Sequence, residues 1–201
     1  MSIGTQVILE NVLVLGQPST FAVTKYTEAD VEAFEKYFKA WKELATASEL
    51  IDSRFPNLGE AFTEGLFCLW SGSSRYLKPS NCTLPFTQRL AHASLDTYNE
   101  LKQQSEQIKS TIADKAPSSF GPDSKEDAMY FMDFFNSGNV DGTFSVYEVP
   151  LYILHSTIVN KDKNETFDDQ CHQRRRPRLT LLTQVIEPNN IQPIAKNIRL
   201  W

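Results

Sequence analysis

Several features that point directly to a particular chemistry are missing from this sequence of 201 residues. Its three cysteines and three histidines follow no zinc-site spacing, and it has no glycine-rich phosphate loop or nucleophile elbow. No apolar run is long enough to cross a membrane, and Met1–Gly4 do not open the basic and then apolar pattern of a secretory signal. We therefore expect a cytoplasmic protein with reduced thiols and no contact with a membrane.

Size and charge restrict the function further. A chain of 201 residues suits a single domain spanning residues 1–201 and can bury a substantial core. The formal net charge of −5 argues against a protein that coats nucleic acid generally. It is compatible with a protein that contacts DNA through one basic patch and keeps acidic residues elsewhere, some of them for a metal ion.

The first half of the chain predicts short strands followed by two amphipathic helices. The strand pattern covers Gln6–Leu9 and Asn11–Leu15, and it is stopped by a glycine and a proline. Apolar residues at helical spacing predict a first helix after Thr27, and a second helix is predicted to open at Asn57. An irregular connection is predicted at Ser80–Thr87. The apolar residues of the two helices are Val31, Phe34, Phe38, Trp41, Leu44 and Ala45, and then Leu58, Phe62, Leu66 and Leu69.

The second half of the chain predicts a hairpin and shorter elements. Two aromatic, strand-prone runs, Ala128–Phe135 and Thr143–Val149, flank a turn rich in Asn, Asp and Gly, which is typical of a β-hairpin. A helix is predicted for Leu151–Asn160, and Leu179–Ile186 fits either a strand or a short helix.

The stretch of residues 96–111 has two alternative interpretations. Composition favours a solvated helix, because the stretch is rich in Glu, Gln and Lys. If it is extended instead, Gln107 and Lys109 share one face and Glu106 lies on the other, since alternate residues of a strand share a face. A turn within the stretch would then return Asp96 to the side of this pair. A carboxylate and an amide oxygen can hold Mg²⁺, and a lysine can orient an attacking water.

Two acidic residues on the second helix are further candidates. Glu60 and Glu64 are four residues apart and therefore share one flank, where two like charges repel slightly. Most surface acids of this kind are simply solvated. The functional alternative gives one of them to a metal site.

A single dense basic cluster occurs at His172–Arg178. Its arginines suit bidentate contacts with phosphates and with guanine in the major groove of DNA. The alternative is a solvated surface, which is the usual fate of a run of charges. The arginines are Arg174, Arg175, Arg176 and Arg178.

The order of these features resembles that of a known family. The acidic helix comes first, then Asp96, Gln107-Ile108-Lys109, the loop Pro117–Pro122, the aromatic hairpin and Gln173–Arg178. Over about residues 50–200 the chain looks like the small type II restriction endonucleases of the PD-(D/E)xK nuclease superfamily. The resemblance implies an α/β fold in which helices flank a mixed β-sheet and the active site lies on a strand hairpin.

The resemblance also implies roles for individual residues. Asp96 resembles the first metal-binding acid, and Gln107 and Lys109 resemble the acid and the lysine of the second motif. Glu60 resembles the helix acid that some members bring to the site, with Glu64 as the alternate. The residues implied to contact DNA are Ser118, Ser119, Gln173, Arg174, Arg175, Arg176 and Arg178.

Two departures from the family pattern affect the site. No proline precedes Asp96, and the neutral Gln107 stands where most members have an acid. A glutamine supplies an oxygen without a charge, so the site needs another anion, for which Glu60 is the candidate. Alternatively Glu106 is the ligand in a register shifted by one residue, which would require a bulge.

The activity implied by the resemblance is Mg²⁺-dependent hydrolysis of double-stranded DNA at a short palindrome. A two-fold homodimer reads a palindrome most simply, with one active site for each strand. One alternative is a nuclease-like module that binds DNA and has lost cleavage through the change at Gln107. Another is an interaction domain built on the acidic helices, in which the arginine run is merely solvated.

Overall fold

The computed structural model describes residues 6–14, 17–52, 54–77, 95–122, 126–135 and 138–201. The irregular connection predicted for Ser80–Thr87 lies outside the described residues. The strands are β1 (Gln6–Val14), β2 (Gln17–Lys25), β3 (Ser74–Tyr76), β4 (Thr97–Asn99), β5 (Gln104–Thr111), β6 (Ser118–Ser119), β7 (Ala128–Asp133), β8 (Phe144–Glu148), β9 (Ile158–Asn160), β10 (Glu165–Thr166), β11 (Arg178–Leu179) and β12 (Ala195–Ile198). The helices are α1 (Val31–Leu50), α2 (Glu60–Ser71), α3 (Leu151–Ser156), α4 (Phe167–His172) and the π-helix α5 (Leu182–Ile186).

Eight of the described strands form one mixed sheet, in the order β1-β2-β3-β4-β5-β7-β8-β12. Neighbouring strands are antiparallel except β5 and β7, which run parallel. A parallel pair needs a long crossover, and β6 lies in the chain segment between β5 and β7. A mixed sheet with helices confirms the α/β fold class predicted from the sequence.

Helices α1 and α2 contribute the apolar cluster on one face of this sheet. Their aromatic residues meet residues of β5 and β7, and full burial of each large apolar side chain contributes about 1.5–3 kcal/mol. The aromatic stripe of α1 is therefore core, as its helical spacing indicates. The cluster includes Phe34, Phe38 and Trp41 of α1, Phe62, Leu66 and Phe67 of α2, and Ile108, Tyr130 and Met132 of the sheet.

A second apolar cluster involves β7 together with α3, α4 and α5. Met129 and Phe131 belong to it, whereas Tyr130 and Met132 belong to the first cluster. Because successive side chains of a strand point to opposite faces, β7 supplies both clusters in alternation. Phe120, which follows β6, is also a fully buried member of the second cluster.

The aromatic hairpin predicted from the sequence is confirmed. Strands β7 and β8 pair antiparallel, with Phe131 opposite Tyr147. Across the described residues, no helix has both the length and the apolar character needed to cross a membrane.

Three predicted boundaries are wrong. The two short N-terminal segments form one continuous strand, β1. Pro18, predicted to stop the strand pattern, lies inside the next strand, β2. Helix α2 begins at Glu60 instead of Asn57, because the preceding Gly59 is extended, with φ −65° and ψ 144°. The helix predicted for Leu151–Asn160 ends at Ser156, because Ile158–Asn160 pairs with β10 as strand β9.

Candidate active site

The candidate site is built on a hairpin of β4 and β5. Asn99 Oδ1 accepts a hydrogen bond from the backbone N–H of Lys102 at 3.0 Å, and Gln103 takes the left-handed conformation, with φ 53°, that closes the turn. Thr97 pairs with Glu106. The extended interpretation of residues 96–111 is therefore correct, and the solvated helix is wrong.

Asp96 is tied to β5 through its backbone and its side chain. Its backbone N–H donates to the carbonyl of Glu106 at 3.0 Å. Its Oδ2 accepts a hydrogen bond from the backbone N–H of Ile108 at 2.8 Å and another from the side-chain amide of Gln107. Strand pairing thus brings together two of the residues singled out from the sequence, Asp96 and Gln107.

The side chains of β5 alternate between the two faces of the sheet. Ile108 lies in the cluster formed with α1 and α2, and Glu106 shares its face. Gln107 and Lys109 lie on the opposite face, where Gln107 meets Asp96 and the Nζ of Lys109 lies 5.3 Å from the ring centre of Phe120. The register places Gln107 and Lys109 on a common face, as the period-two pattern predicts.

Glu106 is enclosed on the α2 side of the sheet. Its side chain is fully buried, and its Oε2 accepts a hydrogen bond from Thr97 Oγ1 at 2.7 Å. Its Oε1 has no hydrogen-bond partner among the described residues. Burial raises the pKa of Glu106, and the hydrogen bond from Thr97 opposes this shift. The alternative register, with Glu106 as the ligand, would need this carboxylate to leave its pocket and change face.

A cleft of about 380 Å³ opens where the pairing of β4 with β5 ends. The described pairing between β4 and β5 covers only residues 104–106 of β5. Residues 108–111, further along β5, line the cleft. The start of α2 and the loop that contains β6 form its other walls. The lining residues singled out from the sequence are Asp96, Lys109, Glu60, Glu64, Ser118 and Ser119.

The two candidate acids of α2 differ in their surroundings. Glu64 is buried and forms an ion pair with Arg75, Oε2 to Nε at 2.6 Å. Burial lowers the pKa of Arg75, but the charge and hydrogen bond of Glu64, together with those of Tyr26, raise it overall. Glu60 is exposed at the first turn of α2. The prediction that this flank of α2 is solvated is therefore wrong for Glu64. Glu60 is exposed and lines the cleft.

Comparison with known proteins gives the family. The family model described as Bsp6I restriction endonuclease matches residues 26–188. The chain belongs to this family. It is also 27% identical, over 180 residues, to the type II restriction enzyme Bsp6I of Bacillus sp. (strain RFL6), and the match covers 87% of this chain and 93% of that protein. No solved structure matches the chain. The family confirms the resemblance to type II restriction endonucleases and the prediction of an enzyme.

In this member of the Bsp6I restriction endonuclease family, the oxygen donors next to the cleft suit a hard cation. Where the structure describes the chain, no group of three or more His, Cys, Asp or Glu residues could hold a metal ion. The amide of Gln107, however, contacts the Asp96 carboxylate and the carbonyl of Ile108, the latter at 3.3 Å. Rotation of that amide by 180° would exchange its nitrogen for its oxygen. An amide oxygen would then face the Asp96 carboxylate and the Ile108 carbonyl, and oxygen is the donor type that Mg²⁺ prefers.

The basic cluster of this Bsp6I family member is joined to the cleft at one end. Strands β6 and β11 pair, with Ser119 opposite Arg178. The other arginines are exposed around the end of α4, where Arg175 forms an ion pair with Glu165 at 2.8 Å. Gln173 accepts a hydrogen bond from Arg175 at 3.3 Å. The structure therefore places Ser118 and Ser119 at the cleft and pairs Arg178 with Ser119, whereas Arg175 is held by Glu165.

Sequence reasoning missed two residues that shape the site. Arg75 holds Glu64, and Phe120 lies beneath Lys109. Each contact joins residues at least eleven positions apart in the chain, and no periodicity marks it. The run Ser118-Ser119-Phe120 in a loop near the candidate lysine was the only available signal for Phe120.

Proposed function

We propose that the chain hydrolyses phosphodiester bonds of double-stranded DNA in a Mg²⁺-dependent reaction at a PD-(D/E)xK-type site. The observation that carries the proposal is the placement of Asp96, Gln107 and Lys109 on one face of a hairpin, with Asp96 and Lys109 lining the cleft. The name of the similar protein, a type II restriction enzyme, supports DNA as the substrate.

Asp96 and Gln107 would hold the metal ion, and the carbonyl of Ile108 would complete the protein donors. When bound, Mg²⁺ would supply charge stabilisation for attack on the phosphodiester. Glu60 is the better candidate for a second negative charge, because Glu64 is buried in its ion pair with Arg75. Moving Glu64 would leave a buried arginine without its charge partner, at a cost of about 3–5 kcal/mol.

Lys109 would position the attacking water and the scissile phosphate. Its ammonium group can donate three hydrogen bonds and carries a compact charge. Its side chain is partly exposed at the cleft, so a phosphate oxygen can approach it. A site that relies on positioning and on charge needs no nucleophilic side chain, which agrees with the absence of a nucleophile motif from the sequence.

DNA contacts would come from the loop that bears β6 and from the basic cluster. Ser118 and Ser119 line the cleft, and Arg178 lies opposite Ser119 in the next strand. Gln173, Arg174, Arg175 and Arg176 would extend this surface, and Arg175 would exchange Glu165 for a phosphate. We further infer a palindromic recognition site read by a homodimer, in a cytoplasmic protein with a single domain over residues 1–201.

The test is cleavage of supercoiled plasmid by the purified protein with Mg²⁺ and with EDTA. Discrete, Mg²⁺-dependent linear products support site-specific hydrolysis. Equal cleavage in EDTA would overturn the metal dependence, and no cleavage in either condition would overturn the enzyme assignment for this chain.

The neutral Gln107 gives the binding-module alternative its own test. Gel shifts with Ca²⁺ measure DNA binding without requiring cleavage. An inactive native protein that binds DNA with Ca²⁺, together with a Gln107→Glu variant that gains Mg²⁺-dependent cleavage, would replace the nuclease by a DNA-binding module. Active native protein would exclude it.

A further inference from the structure

Lys109 lies against an aromatic ring that the roles proposed above do not use. Its Nζ is 5.3 Å from the centre of the Phe120 ring, within the distance at which a cation is attracted to an aromatic face. Phe120 is 1% exposed. The ring is therefore shielded from water, and the attraction is less screened than at an exposed site.

The position of this ring is fixed from two sides. The backbone N–H of Phe120 donates to the carbonyl of Pro177 at 3.0 Å, and the preceding Ser119 pairs with Arg178. The ring packs edge to face on Phe167, with centroids 5.1 Å apart. Phe120 is thus anchored both in the second apolar cluster and beside the basic cluster.

A lysine side chain without such a contact has several accessible rotamers. Holding the lysine in one geometry costs conformational entropy. In a preorganised site, contacts made before the substrate binds must compensate for this cost. The ring offers an attractive surface for the ammonium group without a competing negative charge. An acidic partner in the same place would neutralise the charge that the scissile phosphate needs.

We propose that Phe120 is a positioning residue that holds the Lys109 ammonium at the cleft through its aromatic face. The inference rests on the proposed role of Lys109 in DNA cleavage. Since β6 and β11 pair next to Phe120, DNA contacts by Ser119 and Arg178 would bear directly on the placement of the lysine.

The first test is nuclear magnetic resonance of the native protein without metal. The ε-methylene protons of Lys109, assigned by their loss in Lys109→Ala, should be shifted upfield by the ring current of Phe120. Resonances at the ordinary lysine position would overturn the proposal, whether or not a Phe120 variant folds.

The second test compares Phe120→Leu with Phe120→Tyr in single-turnover cleavage at saturating DNA. Leucine keeps apolar volume but loses the ring face, so we expect the rate to fall about tenfold while Ca²⁺-supported DNA affinity changes little. Tyrosine keeps the ring face and should restore most of the rate. A native rate in Phe120→Leu, or equal losses in both variants, would overturn the positioning role.

Two controls separate the possible failures. Phe144→Leu removes a fully buried ring from the other cluster and should keep a near-native cleavage rate, which shows that loss of core packing alone does not produce the effect. Lys109→Ala tests the underlying function. A native rate in Lys109→Ala removes the proposed role of the lysine, whereas an inactive Lys109→Ala beside a fully active Phe120→Leu removes only the role of Phe120.

Discussion

Glu106 and Gln107 are neighbours in the chain, yet their side chains lie on opposite faces of the sheet. Glu106 is buried against Thr97 on the α2 side, and Gln107 meets Asp96 on the other. In the proposed site this relationship favours Gln107 over Glu106 as the residue that would share a metal ion with Asp96, because a strand cannot turn both side chains to one face without a bulge.

Glu106→Gln should therefore leave Mg²⁺-dependent cleavage close to native, since it keeps the shape of the side chain. Gln107→Ala should raise the Mg²⁺ concentration required for half-maximal cleavage by about tenfold or more, because even indirect partners of a metal contribute that much. Titration of cleavage with Mg²⁺ measures both. An inactive Glu106→Gln beside an active Gln107→Ala would show that the ligand is Glu106.

Arg178 and Arg175 should differ in their contributions to DNA binding. Arg178→Ala should weaken Ca²⁺-supported binding and flatten its salt dependence by about one unit of slope, as expected for a lost phosphate contact. Arg175→Ala should have a smaller effect, because Arg175 must first leave Glu165. Lys36→Ala on α1 is the charge-matched control. Equal slopes for native protein and Arg178→Ala would remove Arg178 from the DNA surface.

The buried pair Glu64–Arg75 should stabilise the fold against the loss of either partner. Arg75→Met leaves the Glu64 carboxylate buried without its charge partner, so the free energy of unfolding should fall by about 3–5 kcal/mol. Urea denaturation measures the change. Glu32→Gln, which removes an exposed pair with Lys36, should leave stability nearly unchanged. A similarly small effect of Arg75→Met would show that the pair is not structurally important.

Asp133 should make stability depend on pH. Burial raises its pKa, although the backbone N–H of Phe135 donates to it at 2.8 Å and lowers the pKa in part. The folded protein thus holds this proton more tightly than the unfolded chain. The resulting stabilisation is complete below the unfolded pKa and is lost as pH rises through the folded pKa.

Asp133→Asn cannot ionise, so its stability relative to native protein should increase as pH rises through that interval. Urea denaturation at several pH values from about 4 to about 7 follows the difference. A constant difference between the two proteins over this interval would contradict the raised pKa.

Local geometry made part of the site predictable from the sequence. The common face of Gln107 and Lys109 follows from the two-residue repeat of a strand, and the return of Asp96 requires only a tight turn. The aromatic hairpin was visible because strand-prone runs flank a turn-forming segment. Such features depend on residues close in sequence.

The remaining features depend on contacts between distant segments. The burial of Glu64 depends on Arg75 in β3, and the end of α3 depends on pairing between β9 and β10. Composition could not distinguish a helix from a hairpin for residues 96–111, because Glu, Gln and Lys occur both on solvated helices and on exposed strands. The contact between Phe120 and Lys109 joins the loop after β6 to β5, and no local pattern in the sequence marks it.

The most direct test of the metal-dependent nuclease is the cleavage activity of Asp96→Asn. The control is Asp162→Asn, because Asp162 is an exposed acid that does not line the cleft. The substitution keeps the shape of the side chain but removes the charge of the carboxylate next to Gln107. We expect Asp96→Asn to lose Mg²⁺-dependent plasmid cleavage while it stays folded, and Asp162→Asn to remain fully active. Native cleavage by a folded Asp96→Asn protein would contradict the site.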